Sequence, residues 1–153
     1  MNAPVRPLRP IEDGDGPALA DLWVAAWRDS GFAIDFEARR AWLVERLAAH
    51  RTAGGAIVVG LDARGRPAGF AAIDPATGYL DQLCVAPAEK GAGLAAALVA
   101  EAKRLAVGAV ELDVNEANER ARRFYAREGF VVVGRGSSAQ SGLPTLRLRW
   151  TPG

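Results

Sequence analysis

The chain has 153 residues, half of them hydrophobic and 24% charged, with a formal net charge of +1. This is the profile of an ordinary soluble globular domain, long enough to bury one core. So balanced a charge gives no electrostatic case for nucleic acid or an anionic membrane as the main partner. The single cysteine, Cys84, rules out an intrachain disulfide. Together with a start, "MNAPVRPLRP", that lacks the apolar core of a signal sequence, it sets a reducing cytoplasm as the expected compartment. The longest apolar run, "GAGLAAALVA", is far short of the roughly 20 residues a bilayer span needs. With one histidine, His50, and no clustered carboxylates, no metal site is expected.

In chain order, "VRPLR" reads as an edge strand, because its prolines would interrupt a central one. "DGDGP" offers a cap and a first-turn proline for a helix over Pro17–Arg28, which buries Leu19, Leu22, Trp23 and Trp27. A second helix, capped by Asp35, carries Phe36, Trp42, Leu43 and Leu47 at helical spacing. The pattern then changes to strands joined by short turns: "AIVVGL", "AGFAAI" and "YLDQLCV", an antiparallel meander. An alanine-rich helix over about Ala92–Leu105 follows, then the strand "VELDV". Next comes the helix "NERARRFYARE", stopped by Gly129, with Phe130 folding back on it. "FVVVGR" and "TLRLRW" are the last strands, joined by the polar loop "GSSAQSGLP". The expected order is β-α-α-β-β-β-α-β-α-β-β in one domain, residues 1–153.

The chemistry-bearing stretch is "LCVAPAEKGAGLAAALVAEAKRL", Leu83 to Leu105. A strand ends near Pro87, two glycines follow, and a helix begins. The first N–H groups of a helix have no partner inside it, and its dipole is positive there. Glycines let an anion come close to those groups. "GAGLAA" also fits the dinucleotide fingerprint G-x-G-x-x-G/A, with Glu111 about 20 residues on. Its context does not fit. A dinucleotide fold normally opens with this unit and continues in parallel strand–helix repeats, whereas here a meander precedes it and one helix remains after Glu111. A P-loop is excluded because no Gly-Lys-Ser/Thr follows.

The segment "LDVNEANERARRFYAREGF" resembles the second signature of the GNAT superfamily of N-acetyltransferases, through Leu112, Val114, Asn118, Ala121, Phe124, Tyr125, Gly129 and Phe130. The glycine turn is similar to that family's acetyl-CoA loop, Gln/Arg-x-x-Gly-x-Gly/Ala after a strand ending Val-x-Pro. Here it is Val85, Pro87, Gly91 and Gly93. The loop's usual Gln or Arg is Ala88 in this chain, and Lys90 is a substitute positive charge. The resemblance implies an α/β GNAT fold: a mixed, mostly antiparallel seven-stranded sheet with helices on both faces. It implies acetyl-CoA as cosubstrate and an amine acceptor, a small molecule or a peptide. It also allows a homodimer.

It further implies that the strands "YLDQLCV" and "VELDV" splay apart. Leu83, Cys84 and Val85 would then hold the pantetheine arm. Lys90, Gly91, Ala92, Gly93, Leu94 and Ala95 would cradle the pyrophosphate, and Asn118, Phe124 and Tyr125 would also contact CoA, Asn118 by touching the pantetheine arm or ordering the helix start. Direct attack on the thioester requires an alkylammonium, reference pKa about 10.4, to lose a proton, and favours an acid at the leaving thiolate. Tyr125 matches the family's general acid. Asp113 and Asp81 are the two candidates for the base, and a water chain is the third route. Cys84 has no candidate base next to it, and packing is the expected role. Trp23, Trp27, Phe32, Phe36 and Trp42 read as core, with one or two walling the acceptor pocket beside Gly31–Phe36 and Gly136–Pro144. A catalytically degenerate acyl-CoA-binding or partner-binding module is the alternative function, and a dinucleotide-binding protein the less favoured one.

Overall fold

The computed structural model describes residues 7–29, 35, 37–89, 91, 93–139 and 141–153. Among these residues, seven strands form two sheets. The first is antiparallel, in the order β1–β2–β3–β4, from β1 (Leu8–Pro10), β2 (Ala56–Leu61), β3 (Pro67–Ile73) and β4 (Leu80–Val85). The second, also antiparallel, has the order β5–β7–β6, from β5 (Val110–Asn115), β6 (Val131–Ser137) and β7 (Pro144–Trp150). A single parallel bridge, Tyr79 to Glu111, joins them. The element order expected from sequence is the one observed, and β1 is an edge strand as its prolines require.

Helices α1 (Gly16–Asp29) and α2 (Arg40–Thr52) cover one face of the first sheet. Leu19, Ala20, Trp23 and Val24 recur on one side of α1. They pack with Leu43 and Leu47 of α2 against Ile57, Val59, Phe70, Ala72 and Cys84. Helix α3 (Leu94–Leu105) covers the opposite face through Leu94, Leu98, Val99 and Ala102, spaced to make one stripe. That second core continues into the second sheet through Val110, Leu112, Val114, Leu146 and Leu148. It takes in Tyr125 of α4 (Glu119–Arg127) and Phe130. Each fully buried leucine adds about 1.5–3 kcal/mol, so the two cores carry most of the stability.

The ends of the helices follow the sequence signals with small shifts. Asp35 accepts the Ala38 N–H at 3.1 Å and so caps a short 3-10 turn, Glu37–Arg39, that leads into α2. Asn118 caps α4 by accepting the Ala121 N–H at 3.2 Å. The helix ends at Gly129, φ +91°, where the Phe130 N–H donates back to the Tyr125 carbonyl at 3.0 Å. Lys103 of α3 secures this end. Its ammonium donates to the Glu128 carbonyl at 2.5 Å and lies 4.8 Å from the Trp150 ring centre.

One irregularity in β4 decides where the site lies. Ala72 pairs with Gln82 and Ile73 with Leu80, so Asp81 is an extra residue in the strand, a β-bulge. The insertion resets the alternation. Leu80 and Leu83, three apart, both pack into the α3 core, while Asp81 meets Arg46 of α2 on the other face.

Candidate active site

Strands β4 and β5 run parallel and, among the described residues, their backbones are tied only just before β4, where Tyr79 bridges Glu111. There the Glu111 N–H donates to the Gly78 carbonyl at 2.9 Å. Gly78 has φ +78°, and a Cβ on it would lie 1.9 Å from the Ala109 carbonyl oxygen, so no other residue permits this approach. Towards Val85 and Asn115 the two strands share no ladder. The Ala86 N–H donates to Ala68 of the β3 side at 2.8 Å. Counting back by twos turns Cys84 and Gln82 towards β3, and turns the main-chain groups of Leu83 and Val85 to the open side.

A cleft of about 610 Å³ occupies this opening. One wall comes from β4 and β5 (Tyr79–Leu83 and Leu112–Asn115), and another from Asn118, Ala121 and Tyr125 of α4. The far wall is Trp23, Trp27, Trp42 and Arg46, with the β6–β7 connection closing the side through Ser137, Ser138, Ala139 and Ser141. The tryptophans read as core therefore have two roles: Trp23 is only 5% exposed yet still faces the cleft.

Tyr125 is 8% exposed and stands edge-on between Phe124 and Phe130, at 5.2 and 5.4 Å between ring centres. Its hydroxyl has no hydrogen-bond partner among the described residues. Burial pushes its pKa up, so the phenol keeps its proton at neutral pH. A buried hydroxyl without a partner costs stability, and this one lies on the cleft wall. Thr145, 7% exposed on β7, is the other buried polar residue lining the cleft.

At the mouth of α3, Gly91 and Gly93 have φ +81° and +87°. Among the described residues, nothing lies within 4 Å of where a Cβ would sit on either. Gly93 is the N-cap in the left-handed region, and its carbonyl accepts from Ala97, so the N–H groups of the first turn, from Leu94 and Ala95 on, face out of the helix. Lys90 and Ala92 lie outside the described residues, as do Phe32 and Phe36. Ala88, where the acetyl-CoA loop usually has Gln or Arg, is exposed on the 3-10 turn Pro87–Glu89.

The two aspartates read as candidate bases are both held by arginines. Arg46 donates to Asp81 through Nε at 2.8 Å and Nη2 at 2.6 Å, while its guanidinium lies 5.2 Å from the Trp42 ring centre. Arg147 of β7 donates to Asp113 through Nε at 2.8 Å and Nη2 at 2.9 Å, and through Nη1 to Glu111 at 3.2 Å. The Tyr79 hydroxyl adds a third donor to Asp113 at 2.6 Å. Burial alone would raise the Asp113 pKa. The bonds from Arg147 and Tyr79 outweigh it and hold the carboxyl below its ordinary value. For Tyr79 itself, burial and then the neighbouring Asp113 push the phenol up.

Arg46, Tyr79 and Arg147 were not singled out in the sequence, where exposed arginines on a helix and a strand look like solvated faces. Cys84 has its side chain in the α1 core, 6% exposed. His50 sits elsewhere, with Nε2 3.1 Å from the Ala56 carbonyl and 3.0 Å from that of Ile73; two acceptors require that nitrogen to carry the proton. Among the described residues no cluster of metal-ligating side chains occurs, and no helix is long and apolar enough to cross a membrane.

A pair of parallel strands splayed beside a glycine-capped helix is the arrangement of acyl-CoA-dependent acetyltransferases. The profile of the Acetyltransferase (GNAT) family matches residues 17–130, and the chain belongs to that family. No curated protein matches it in sequence. Among solved structures, apo YjaB from Escherichia coli is 25% identical with a TM-score of 0.76, covering 98% of this chain and 100% of that one. A GCN5-related N-acetyltransferase from Rhodopseudomonas palustris is 22% identical with a TM-score of 0.78, covering 99% of each chain. PaiA N-acetyltransferase from Thermoplasma acidophilum, solved in complex with coenzyme A, is 17% identical with a TM-score of 0.74, covering 96% of this chain and 99% of that one.

Proposed function

We propose that this chain is an N-acetyltransferase in which an acceptor amine attacks acetyl-CoA directly, with Tyr125 as the general acid. The observation that carries the reading is the Tyr125 hydroxyl: buried, protonated and without a partner among the described residues, on the wall of the cleft between β4 and β5. The residues present fit the cosubstrate. The open space at Gly91 and Gly93 and the outward N–H groups of the first turn of α3 suit a pyrophosphate. The main-chain groups of Leu83 and Val85 suit the amides of a pantetheine arm, with Asn118 on the cleft wall beside it; Phe124, also expected at the cosubstrate, does not line the cleft and packs against the Tyr125 ring instead. Cys84 contributes packing in this reading, because its backbone serves β3 and its thiol is in the core. Lys90 and Ala92 belong to the same proposed loop by sequence. Acetyl-CoA, when bound, supplies an activated acetyl group.

The chain's own residues then handle protons. Tyr125 donates its proton to the departing sulfur. Neither aspartate is assigned the base. Protonating Asp81 or Asp113 would break a two-pronged arginine pair, and Asp113 is a weaker base than an ordinary carboxylate. The ammonium proton is assigned to water in the cleft. A soluble amine acceptor is proposed, with the cytoplasm as the compartment and a homodimer as an assembly to be tested.

The test measures thiol release from acetyl-CoA across a panel of amines, together with thermal shifts. Acetyl-CoA should raise the melting temperature, by the equivalent of about 2.7 kcal/mol at a hundredfold excess over its dissociation constant, and NADH should not. Stabilisation by acetyl-CoA without turnover of any amine would leave a binding module. Stabilisation by NADH alone would restore the dinucleotide reading.

A further inference from the structure

We infer that the acceptor is an amine that also carries an anionic group, a carboxylate in the simplest case, and that Arg46 receives that anion. The inference rests on the acetyltransferase reading of the cleft and names the substrate class.

Four arginines line the cleft (Arg39, Arg46, Arg135 and Arg147) against two carboxylates, Asp81 and Asp113. Both carboxylates are already gripped by two N–H groups of an arginine. None of residues 30–34, 36 or 140 carries a carboxylate in the sequence. A polyamine or a polycationic antibiotic therefore finds no unpaired carboxylate on the wall among the described residues. Each ammonium beyond the reacting one would be desolvated against arginines, which is unfavourable.

An anion finds a prepared donor. Arg46 has one face on the Trp42 ring, and its Nε and Nη2 are spent on Asp81. Asp81 is held in place by the bulge and is only 12% exposed, so the guanidinium is fixed in direction. Its Nη1 has no partner among the described residues. A guanidinium held on an aromatic face with an unspent edge is suited to a carboxylate. Trp23, Trp27 and Trp42 give the acceptor's body an apolar wall, with Trp23 and Trp42 6.0 Å apart between ring centres.

The experiment compares amine pairs that differ only in the carboxylate: phenylalanine with phenethylamine, leucine with isopentylamine, and glutamate with 4-aminobutyrate, with spermidine added. The carboxylate-rich member of at least one pair should have the higher kcat/KM, by about tenfold or more, as expected of a charge-assisted contact. Arg46→Gln should shrink that ratio towards one, mainly through KM, and Arg46→Lys should restore part of it. Spermidine or the carboxylate-poor amines as the better substrates would overturn the inference.

If no amine turns over, the transferase reading fails, and binding decides the inference separately. Calorimetry with CoA present should show N-acetylphenylalanine binding more tightly than N-acetylphenethylamine. The opposite order, or binding of neither, would overturn it. The wild-type comparisons need no variant to fold.

Discussion

The two ends of the β4–β5 junction differ in how completely their polar groups are satisfied. At the closed end, Gly78 makes a main-chain contact that no side chain would permit, and Tyr79, Asp113, Arg147 and Glu111 bond one another across the two sheets. At the open end, and among the described residues, Leu83 and Val85 present an unused strand edge, the first-turn N–H groups of α3 face out of the helix, and the Tyr125 hydroxyl has no partner. Satisfied groups hold a structure. Unsatisfied ones mark where a ligand completes it. A carboxylate in the cleft is therefore not a base by virtue of its place alone; its existing bonds decide.

Four perturbations test that contrast. The largest effect belongs to the open end. Tyr125→Phe keeps the ring between Phe124 and Phe130 and removes only the donor, so turnover should fall by roughly 10²–10⁴ while calorimetric affinity for acetyl-CoA stays nearly constant. Full activity in the phenylalanine variant would reduce the hydroxyl to a bystander. At the closed end, Gly78→Ala drives a Cβ into the Ala109 carbonyl and should cost about 3 kcal/mol in denaturant unfolding. A neutral result would mean the junction can shift apart freely.

The third effect is smaller and mixed. Gly93→Ala forces a left-handed backbone on an L-residue, at roughly 1–2 kcal/mol. The stabilisation gained from acetyl-CoA in a thermal-shift titration should shrink as well. An unchanged gain would mean that the turn serves folding only.

The smallest is electrostatic. The Asp113 pKa is lowered on folding, so its pairing stabilises the protein above the unfolded carboxylate's pKa. The contribution is lost as pH falls through the folded value. Asp113→Asn should therefore flatten the acid limb of stability against pH, and it should also lessen the pH dependence above about 10, where Asp113 adds to burial in raising the Tyr79 phenol. The group is about a third exposed, and solvent screening keeps the change small. A steeper acid limb in the variant would contradict the assignment.

Much of the frame was readable from the chain. The switch from helical spacing to short alternating runs gave the element order, and "NERARRFYAREGF" placed Tyr125 on a helix ended by Gly129. Such features are local: period, caps and turn residues act within a few positions. The bulge at Asp81 was not readable, because a bulge is a mismatch between two strands. The order β5–β7–β6 was not either, since a strand pattern does not name its neighbours. The ion pairs failed for the same reason. Arg46 lies 35 positions from Asp81 and Arg147 lies 34 from Asp113, so each aspartate looked unattended in sequence.

The order of the second sheet also bears on how the chain is made. Its middle strand, β7, is the last of the seven to leave the ribosome. Until it arrives, β5 carries Glu111 and Asp113 on one face without Arg147 and Arg149 to offset them, and β6 has no strand to pair with. Val131, Val132 and Val133 remain more than half exposed even in the finished fold, so a nascent chain stalled before Pro144 presents a longer sticky run. The second sheet thus waits for its middle strand, and a slow stretch of translation just before Pro144 would lengthen the interval in which chaperones or aggregation compete for it.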